Sequence, residues 1–348
     1  MSDRTQPSEA VLSIKGLTTA FQTPYGEFKA VDNVTLEVRA HERVAVVGES
    51  GSGKSMLMLS ILRLVPEPGK IVAGEVCFDG RDIAAISARD MADLRGSEIA
   101  LIFQDPMSSW NPVKRIGRQI AEAMELHRKI ERKSIRERVV DLLRKVGIPS
   151  PRERARAYPH EFSGGMRQRG MIGMGLSNNP KLLIADEPTT ALDVTVQDQV
   201  IRLLRDVNEQ YGTALILITH NLALVASLAE RVVVMYAGRV MERGTAEQIF
   251  RAPQHPYTWG LLQSVPRIDQ DSEQDLIGIP GSPLDNSQKI AGCKFNPRCR
   301  FKIDRCMVEE PGLIPVGDGQ VARCWVMMKN TAFQNNDDAT NQASHATA

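Results

Sequence analysis

The chain has 348 residues, 42% of them hydrophobic and 24% charged, which is room for two ordinary soluble domains. Its 43 basic and 42 acidic residues leave a net charge of +1, so no overall basic field directs it to nucleic acid. No apolar run approaches the roughly 18 residues that span a bilayer, and the polar start Met1-Ser-Asp-Arg-Thr-Gln-Pro-Ser-Glu9 lacks a signal-peptide core. From those features the protein is expected on the cytoplasmic side, with its five cysteines as thiols or metal ligands and not disulfides.

Residues 1–10 are expected to be disordered. Val11–Ile14 and the alternating Val31, Val34, Leu36 and Val38 predict strands of a half-exposed sheet. Between them, Phe21-Gln-Thr-Pro-Tyr25-Gly26 reads as a turn with two aromatic rings. A ring there could stack on a nucleotide base, although local sequence favours a ring packed under the sheet. Val44–Val47 is short, apolar and β-branched, a buried strand. Gly48-x-x-x-x-Gly53-Lys54-Ser55 follows at once, then the apolar helix Met56–Leu64, stopped before Pro66. Glu75–Phe78 is a strand ending in the hairpin pair Asp79-Gly80, with Cys77 as a buried small hydrophobe.

Ile99–Phe103 is another buried strand, with Gln104 at its end. From Asp105 to about Asn178 the pattern turns helical; Ile135, Val139, Val140, Leu142, Leu143 and Val146 give Ser134–Val146 an amphipathic stripe. This block interrupts the α/β pattern and reads as an inserted helical subdomain. The pattern resumes with strand Lys181–Ala185 leading into Asp186-Glu187, helix Ala191–Tyr211, strand Ala214–Thr219 leading into His220, and a hairpin over Arg231–Gly244 turning near Gly238. Alternating strands and helices predict a mostly parallel sheet covered on both faces, with nucleotide at the carboxyl ends of the strands. Residues 251–330, rich in Pro, Cys and Arg, read as a second, small domain, and residues 331–348 as a disordered tail.

Strand, glycine loop and helix together are the setting in which Gly48–Ser55 means a phosphate cradle. Glycines let the backbone wrap closely so that its N–H groups face phosphate oxygens, and the helix start adds its positive end. Lys54 would reach the β- and γ-phosphates, and the Ser55 hydroxyl would take Mg²⁺. Asp186, at a strand end, can hold Mg²⁺ through water; Glu187, pointing the other way on a strand, can polarise the attacking water. A lone acidic pair after a strand is otherwise often a helix N-cap. Ser163-Gly164-Gly165-Met-Arg-Gln-Arg169 precedes the helical run Gly170–Leu176, and its glycines and helix start form a second anion site. Two phosphate sites are redundant in one chain, and they make sense if this one faces a nucleotide held by a partner.

With these residues in view, the chain from about 11 to 327 resembles the ATP-binding subunit of an ABC importer, in the oligopeptide/dipeptide/nickel transporter branch. Gly48–Ser55 is similar to its Walker A motif, and the resemblance makes Gly48, Ser50, Gly51, Gly53, Lys54 and Ser55 nucleotide contacts. It makes Gln104 the glutamine that senses γ-phosphate and Mg²⁺ near the transmembrane partner. Ser163, Gly164 and Gly165 become the signature loop, Asp186 the Mg²⁺ carboxylate, Glu187 the catalytic base, Asp193 the end of the D-loop that starts at Thr190, and His220 the switch histidine. Spacing back from Walker A puts Tyr25 at the base-stacking aromatic, with Phe21 as second choice. Phe162 and Met166 stand where the general signature has Leu and Gln, as in the peptide branch. His41 stands where the family has Gly, at a turn that needs positive φ, which His tolerates better than most residues.

The fold implied is an α/β P-loop NTPase (RecA-like) core with an antiparallel β subdomain and inserted helical subdomain over residues 11–250, plus a small Cys-rich C-terminal domain. His255-Pro-Tyr-Thr258 and Gly292–Cys299 look like the extension of peptide-importer ATPases. Cys293, Cys299, Cys306 and Cys324 are spaced x5, x6 and x17, unlike paired zinc-ribbon C-x-x-C. Some relatives bind a [4Fe-4S] cluster through such cysteines, and four thiolates meet that need; four reduced thiols in a small core is the other reading. The resemblance implies ATP and Mg²⁺ as ligands and a head-to-tail dimer with a second ATPase subunit, itself or a paralogue. It also implies two transmembrane permease subunits touching the block near Gln104–Pro112, an extracytoplasmic solute-binding protein, and a peripheral place at the cytoplasmic face of the inner membrane. No nucleic acid is expected. A soluble ABC ATPase acting on ribosomes or DNA, and a regulatory module that binds nucleotide without turnover, are the competing classes.

Overall fold

The computed structural model describes residues 10–24, 26–127, 132–190, 192–265, 278–284 and 290–328. The expectations for Tyr25, for most of residues 1–10 and for the tail 331–348 lie outside them. Among the described residues, twelve strands form two sheets. The first sheet, ordered β2-β1-β4-β5, consists of β1 (Ala10–Thr23), β2 (Gly26–Arg39), β4 (Lys70–Phe78) and β5 (Arg81–Asp82), all antiparallel. The second is ordered β11-β12-β10-β9-β3-β8-β7-β6. Its strands are β3 (Arg43–Val47), β6 (Ile99–Ile102), β7 (Leu182–Asp186), β8 (Ala214–Thr219), β9 (Arg231–Tyr236), β10 (Arg239–Thr245), β11 (Ile314–Pro315) and β12 (Val321–Ala322). From β9 through β3, β8 and β7 to β6 the pairing is parallel; the β10, β12 and β11 additions are antiparallel.

The period of two along each strand sorts its residues to two faces. Val44 and Val46, with Ile184, Ile216 and Ile218, face a core roofed by the first sheet and helix Lys54–Ile61. Leu183, Ala185, Leu215 and Leu217 face the other way, onto the helical block and helix Val194–Tyr211. The central strands are apolar on both faces because both are covered. The helical block holds helices Ile116–His127, Arg132–Lys145 and Gly164–Leu176; Ile135, Val139, Leu143 and Val146 of the expected stripe are buried, and Val140 and Leu142 half-buried.

Several boundaries differ from expectation. β1 runs through Thr23 because register shifts on either side of Leu17 interrupt the alternation that marks a strand. Phe21, expected in a turn, therefore lies in β1, its ring stacked on Phe28 with centroids 5.9 Å apart. Cys77 is half-buried, since its side of β4 is not fully covered. β6 stops at Ile102, leaving Phe103 48% exposed. The helix expected from Ala191 starts at Val194, because the Asp193 carboxylate accepts the Val196 N–H at 2.9 Å and caps it. His41 does adopt positive φ, 65°. The described residues beyond 250 join the same sheet and core: β12 pairs with β10, and Tyr257, Cys293, Phe295 and Cys306 pack with Ala45, Val47, Val232 and Tyr236.

Candidate active site

β3, β8, β7 and β6 are neighbours running the same way, so the residues just past their carboxyl ends meet. Those residues are the glycine loop after β3, His220 after β8, Asp186-Glu187 at the end of β7, and Gln104 after β6. The loop is steric in origin. Gly48 has φ 151°, and a Cβ there would sit 2.2 Å from the Met235 carbonyl oxygen; at Gly53, φ 100°, it would sit 2.5 Å from that of Ala30. No other residue fits either position. Gly51, φ 76°, faces open space and is glycine for its backbone alone.

Lys54 is 6% exposed and folds back across the loop, its Nζ donating to the Gly48 and Glu49 carbonyls at 2.8 Å each. Burial lowers its pKa, and the nearby Glu187, Asp186 and Glu49 charges oppose that. Asp186 is 6% exposed; burial raises its pKa against the Ser55 hydroxyl bonded to it and the Lys54 charge. Its Oδ1 is buried with no hydrogen-bond partner among the described residues. A buried carboxylate oxygen left unpaired beside a serine hydroxyl has the donor chemistry a hard cation such as Mg²⁺ requires, so these residues fit the ion.

Glu187 is held at both oxygens. Oε2 accepts from Gln104 Nε2 and from the Thr190 hydroxyl, each at 2.9 Å, and Oε1 meets His220 Nδ1 at 2.9 Å. Burial alone would raise its pKa; the bonds from His220 and Thr190 and the charges of His220 and Lys54 outweigh it and hold the carboxyl below its ordinary range. Its aim has a different origin from the one expected. Glu187 lies past β7 with φ 46°, a left-handed kink for a non-glycine residue, so backbone strain and not strand alternation turns it toward His220. The resemblance makes Thr190 the start of the D-loop and gives it no part in holding Glu187; the one local sign of that contact is a hydroxyl three residues after Glu187, at turn spacing.

Ser163, Gly164 and Gly165 stand apart on the helical block. Ser163 caps helix Gly164–Leu176, accepting the Met166 N–H at 3.3 Å. A Cβ at Gly165 would meet Val196 at 2.5 Å, whereas at Gly164 it would meet only Leu192 at 3.7 Å. Ser163 and Gly164 are exposed, so this helix start is open to a ligand from outside the chain. Asp193 spends its carboxylate on capping the next helix.

Cys293, Cys299, Cys306 and Cys324 line one cavity with His255, Phe295 and Trp325. Burial pushes the Cys293 thiol up to about 12 and Cys299 up to about 11, and raises Cys324. All are free thiols, and among the described residues no three His, Cys, Asp or Glu side chains are arranged to hold one metal ion. The donor set suits an iron–sulfur cluster in type; its present arrangement is that of free thiols.

Compared with known proteins, residues 31–190 match the ABC transporter family and residues 241–306 the oligopeptide/dipeptide transporter C-terminal region. The chain is 45% identical over 318 residues to the oligopeptide transport ATP-binding protein OppD of Bacillus subtilis (strain 168), spanning 91% of this chain and 89% of that one. It is 47% identical over 315 residues to the dipeptide transport ATP-binding protein DppD of Escherichia coli (strain K12), spanning 90% and 96%. Its fold matches that of the ATP-binding cassette MJ0796, solved as a dimer in a post-hydrolysis state bound to ADP and Pi, with a TM-score of 0.61 at 25% identity over 68% of this chain and 98% of that one. Among the described residues no helix is long and apolar enough to cross a membrane. The chain therefore belongs to the ATP-binding, ATPase subunits of the ABC transporter family, in the branch that carries the oligopeptide/dipeptide transporter C-terminal region.

Proposed function

We propose that this chain hydrolyses ATP to power a multi-subunit importer of peptides or related small solutes. The observation that carries the reading is the Glu187 carboxylate, gripped by Gln104, Thr190 and His220 at 2.9 Å each, beside Lys54 and Asp186. Gly48, Ser50, Gly51, Gly53, Lys54 and Ser55 would receive the phosphates. Ser55, Asp186 and Gln104 would hold Mg²⁺, which when bound neutralises phosphate charge. Glu187 stays ionised at neutral pH, so it orients and polarises water more than it fully removes a proton. Ser163, Gly164, Gly165 and Asp193 would serve the nucleotide of a second ATPase subunit, identical or paralogous, in a head-to-tail dimer.

The relatives named for oligopeptide and dipeptide transport support peptides as cargo. Phe103, Met107 and Val113, which are 48%, 63% and 79% exposed around Gln104, suit a permease contact, with peripheral placement at the cytoplasmic face of the inner membrane. The proposed division is a cassette over 11–250, with helical insertion 105–178, and a C-terminal region over 251–330. The test is reconstitution in vesicles with permease subunits and a solute-binding protein of a peptide importer from the same genome. ATP turnover in those vesicles should rise several-fold with a di- or oligopeptide-loaded binding protein. Solute-independent turnover, with the chain left in the soluble fraction, would instead favour an ABC ATPase uncoupled from transport.

The convergence of Cys293, Cys299, Cys306 and Cys324 on one cavity supports a [4Fe-4S] cluster as a further proposal. Anaerobically purified protein should then be brown, absorb near roughly 400 nm and contain iron in proportion to chain. Serine at any of the four should bleach it, and Cys77→Ser should not. Colourless protein with zinc or no metal leaves the thiol core standing.

A further inference from the structure

Glu49 is an acidic side chain inside a loop whose task is to receive phosphate anions. All three of its polar groups are held. Its carbonyl accepts from Lys54 Nζ at 2.8 Å, within the loop. Its N–H donates to the Tyr257 hydroxyl at 2.8 Å, and its carboxylate takes Arg298 Nη1 and Nη2 at 2.5 and 3.0 Å. Tyr257 and Arg298 lie 208 and 249 residues further along, in the region beyond the cassette.

Both partners are fixed themselves. Tyr257 is fully buried, its ring 4.8 Å from that of Tyr236 and 5.3 Å from that of Phe295. Arg298 is 7% exposed; its Nε donates to the Pro280 carbonyl at 2.8 Å and its Nη2 also to that of Gly281 at 3.3 Å. A two-pronged guanidinium–carboxylate pair both neutralises charge and sets orientation. Without it, a carboxylate would stand in the phosphate loop and repel an incoming triphosphate. The N–H given to Tyr257 fixes which way the loop leaves β3.

We propose that Arg298 and Tyr257 are positioning residues for ATP: they neutralise and immobilise Glu49, so that nucleotide affinity depends on the region C-terminal to the cassette. The inference goes beyond peptide transport and rests on the ATP site alone. Uniform loss of binding raises KM and leaves kcat. Arg298→Met should therefore raise the ATP KM about tenfold with kcat within about twofold, and weaken equilibrium binding of a fluorescent ATP analogue in step. Tyr257→Phe, and Arg298→Lys, which keeps the charge and loses the fork, should each raise KM about threefold. Glu49→Gln placed in the Arg298→Met background removes the exposed charge and should bring KM back to within about threefold of the parent. Lys294→Met breaks a different tether of the same region, the 3.0 Å pair with Asp32, and should lower thermal stability with KM unchanged. An unchanged KM in folded Arg298→Met or Arg298→Lys protein, no recovery with Glu49→Gln, or an equal rise with Lys294→Met would each overturn the proposal.

Discussion

Glu187→Gln is expected to bind ATP as well as the parent and to turn it over at least about 100-fold more slowly. The substitution is nearly isosteric. An amide oxygen still accepts from Gln104 Nε2 and Thr190 Oγ1, now at 2.9 Å, so the kink at Glu187 keeps its supports. What disappears is the negative charge that meets His220 Nδ1 and that orients water. Lys54 keeps its bonds to the Gly48 and Glu49 carbonyls, so the phosphates still find their cradle. With hydrolysis blocked and binding intact, a nucleotide-sandwiched dimer should accumulate, seen as a doubled size on chromatography with ATP and Mg²⁺. Parental turnover would remove Glu187 from the chemistry and leave its contacts as a structural network.

How much of this was legible in the sequence follows from the distance over which each feature is made. The glycine loop, Asp186 and His220 sit at the ends of short apolar strands, and the strand order of an α/β sheet brings such ends together. Local pattern therefore placed Gly48–Ser55, Asp186, Glu187 and His220 at strand ends, while the role of His220 came only from the resemblance to the ABC family. The left-handed backbone at Glu187 was invisible, because nothing in its neighbours' residue types announces a strained φ. The full length of β1 was hidden by the shifts around Leu17, which desynchronise the alternation. The helix start moved from Ala191 to Val194 because a capping aspartate outweighs the propensity of the residues before it. Glu49, Tyr257 and Arg298 were out of reach for a plainer reason. An ion pair spanning 249 residues leaves no periodic trace, and no local motif contains both of its ends. Likewise β11 and β12 are two residues each, too short for a pattern, and are strands only because β10 offers β12 an edge and β12 offers one to β11.

Gly164→Asp is expected to abolish turnover while leaving the nucleotide affinity of the isolated chain unchanged. The structure makes this position a cleaner probe than its neighbours. A Cβ at Gly165 would collide with Val196 at 2.5 Å, so loss of activity there could be misfolding. Ser163→Ala would remove a helix cap, at about 0.5–2 kcal/mol. At Gly164 a side chain meets only Leu192 at 3.7 Å, and the position is exposed. Aspartate in the first turn also suits the positive end of helix Gly164–Leu176, so the chain itself is not destabilised. The same carboxylate would occupy the anion site with the wrong sign and repel the γ-phosphate brought by a partner. Mixing it with Glu187→Gln chains offers a decisive arrangement. Pairing the two variants leaves one composite site with both a parental Glu187 and a parental Gly164–Gly165 loop, and the other site with neither. Partial turnover recovered on mixing is the expected result. Lost affinity in the Gly164→Asp monomer would show instead that this loop serves its own chain's nucleotide and that the head-to-tail dimer is wrong.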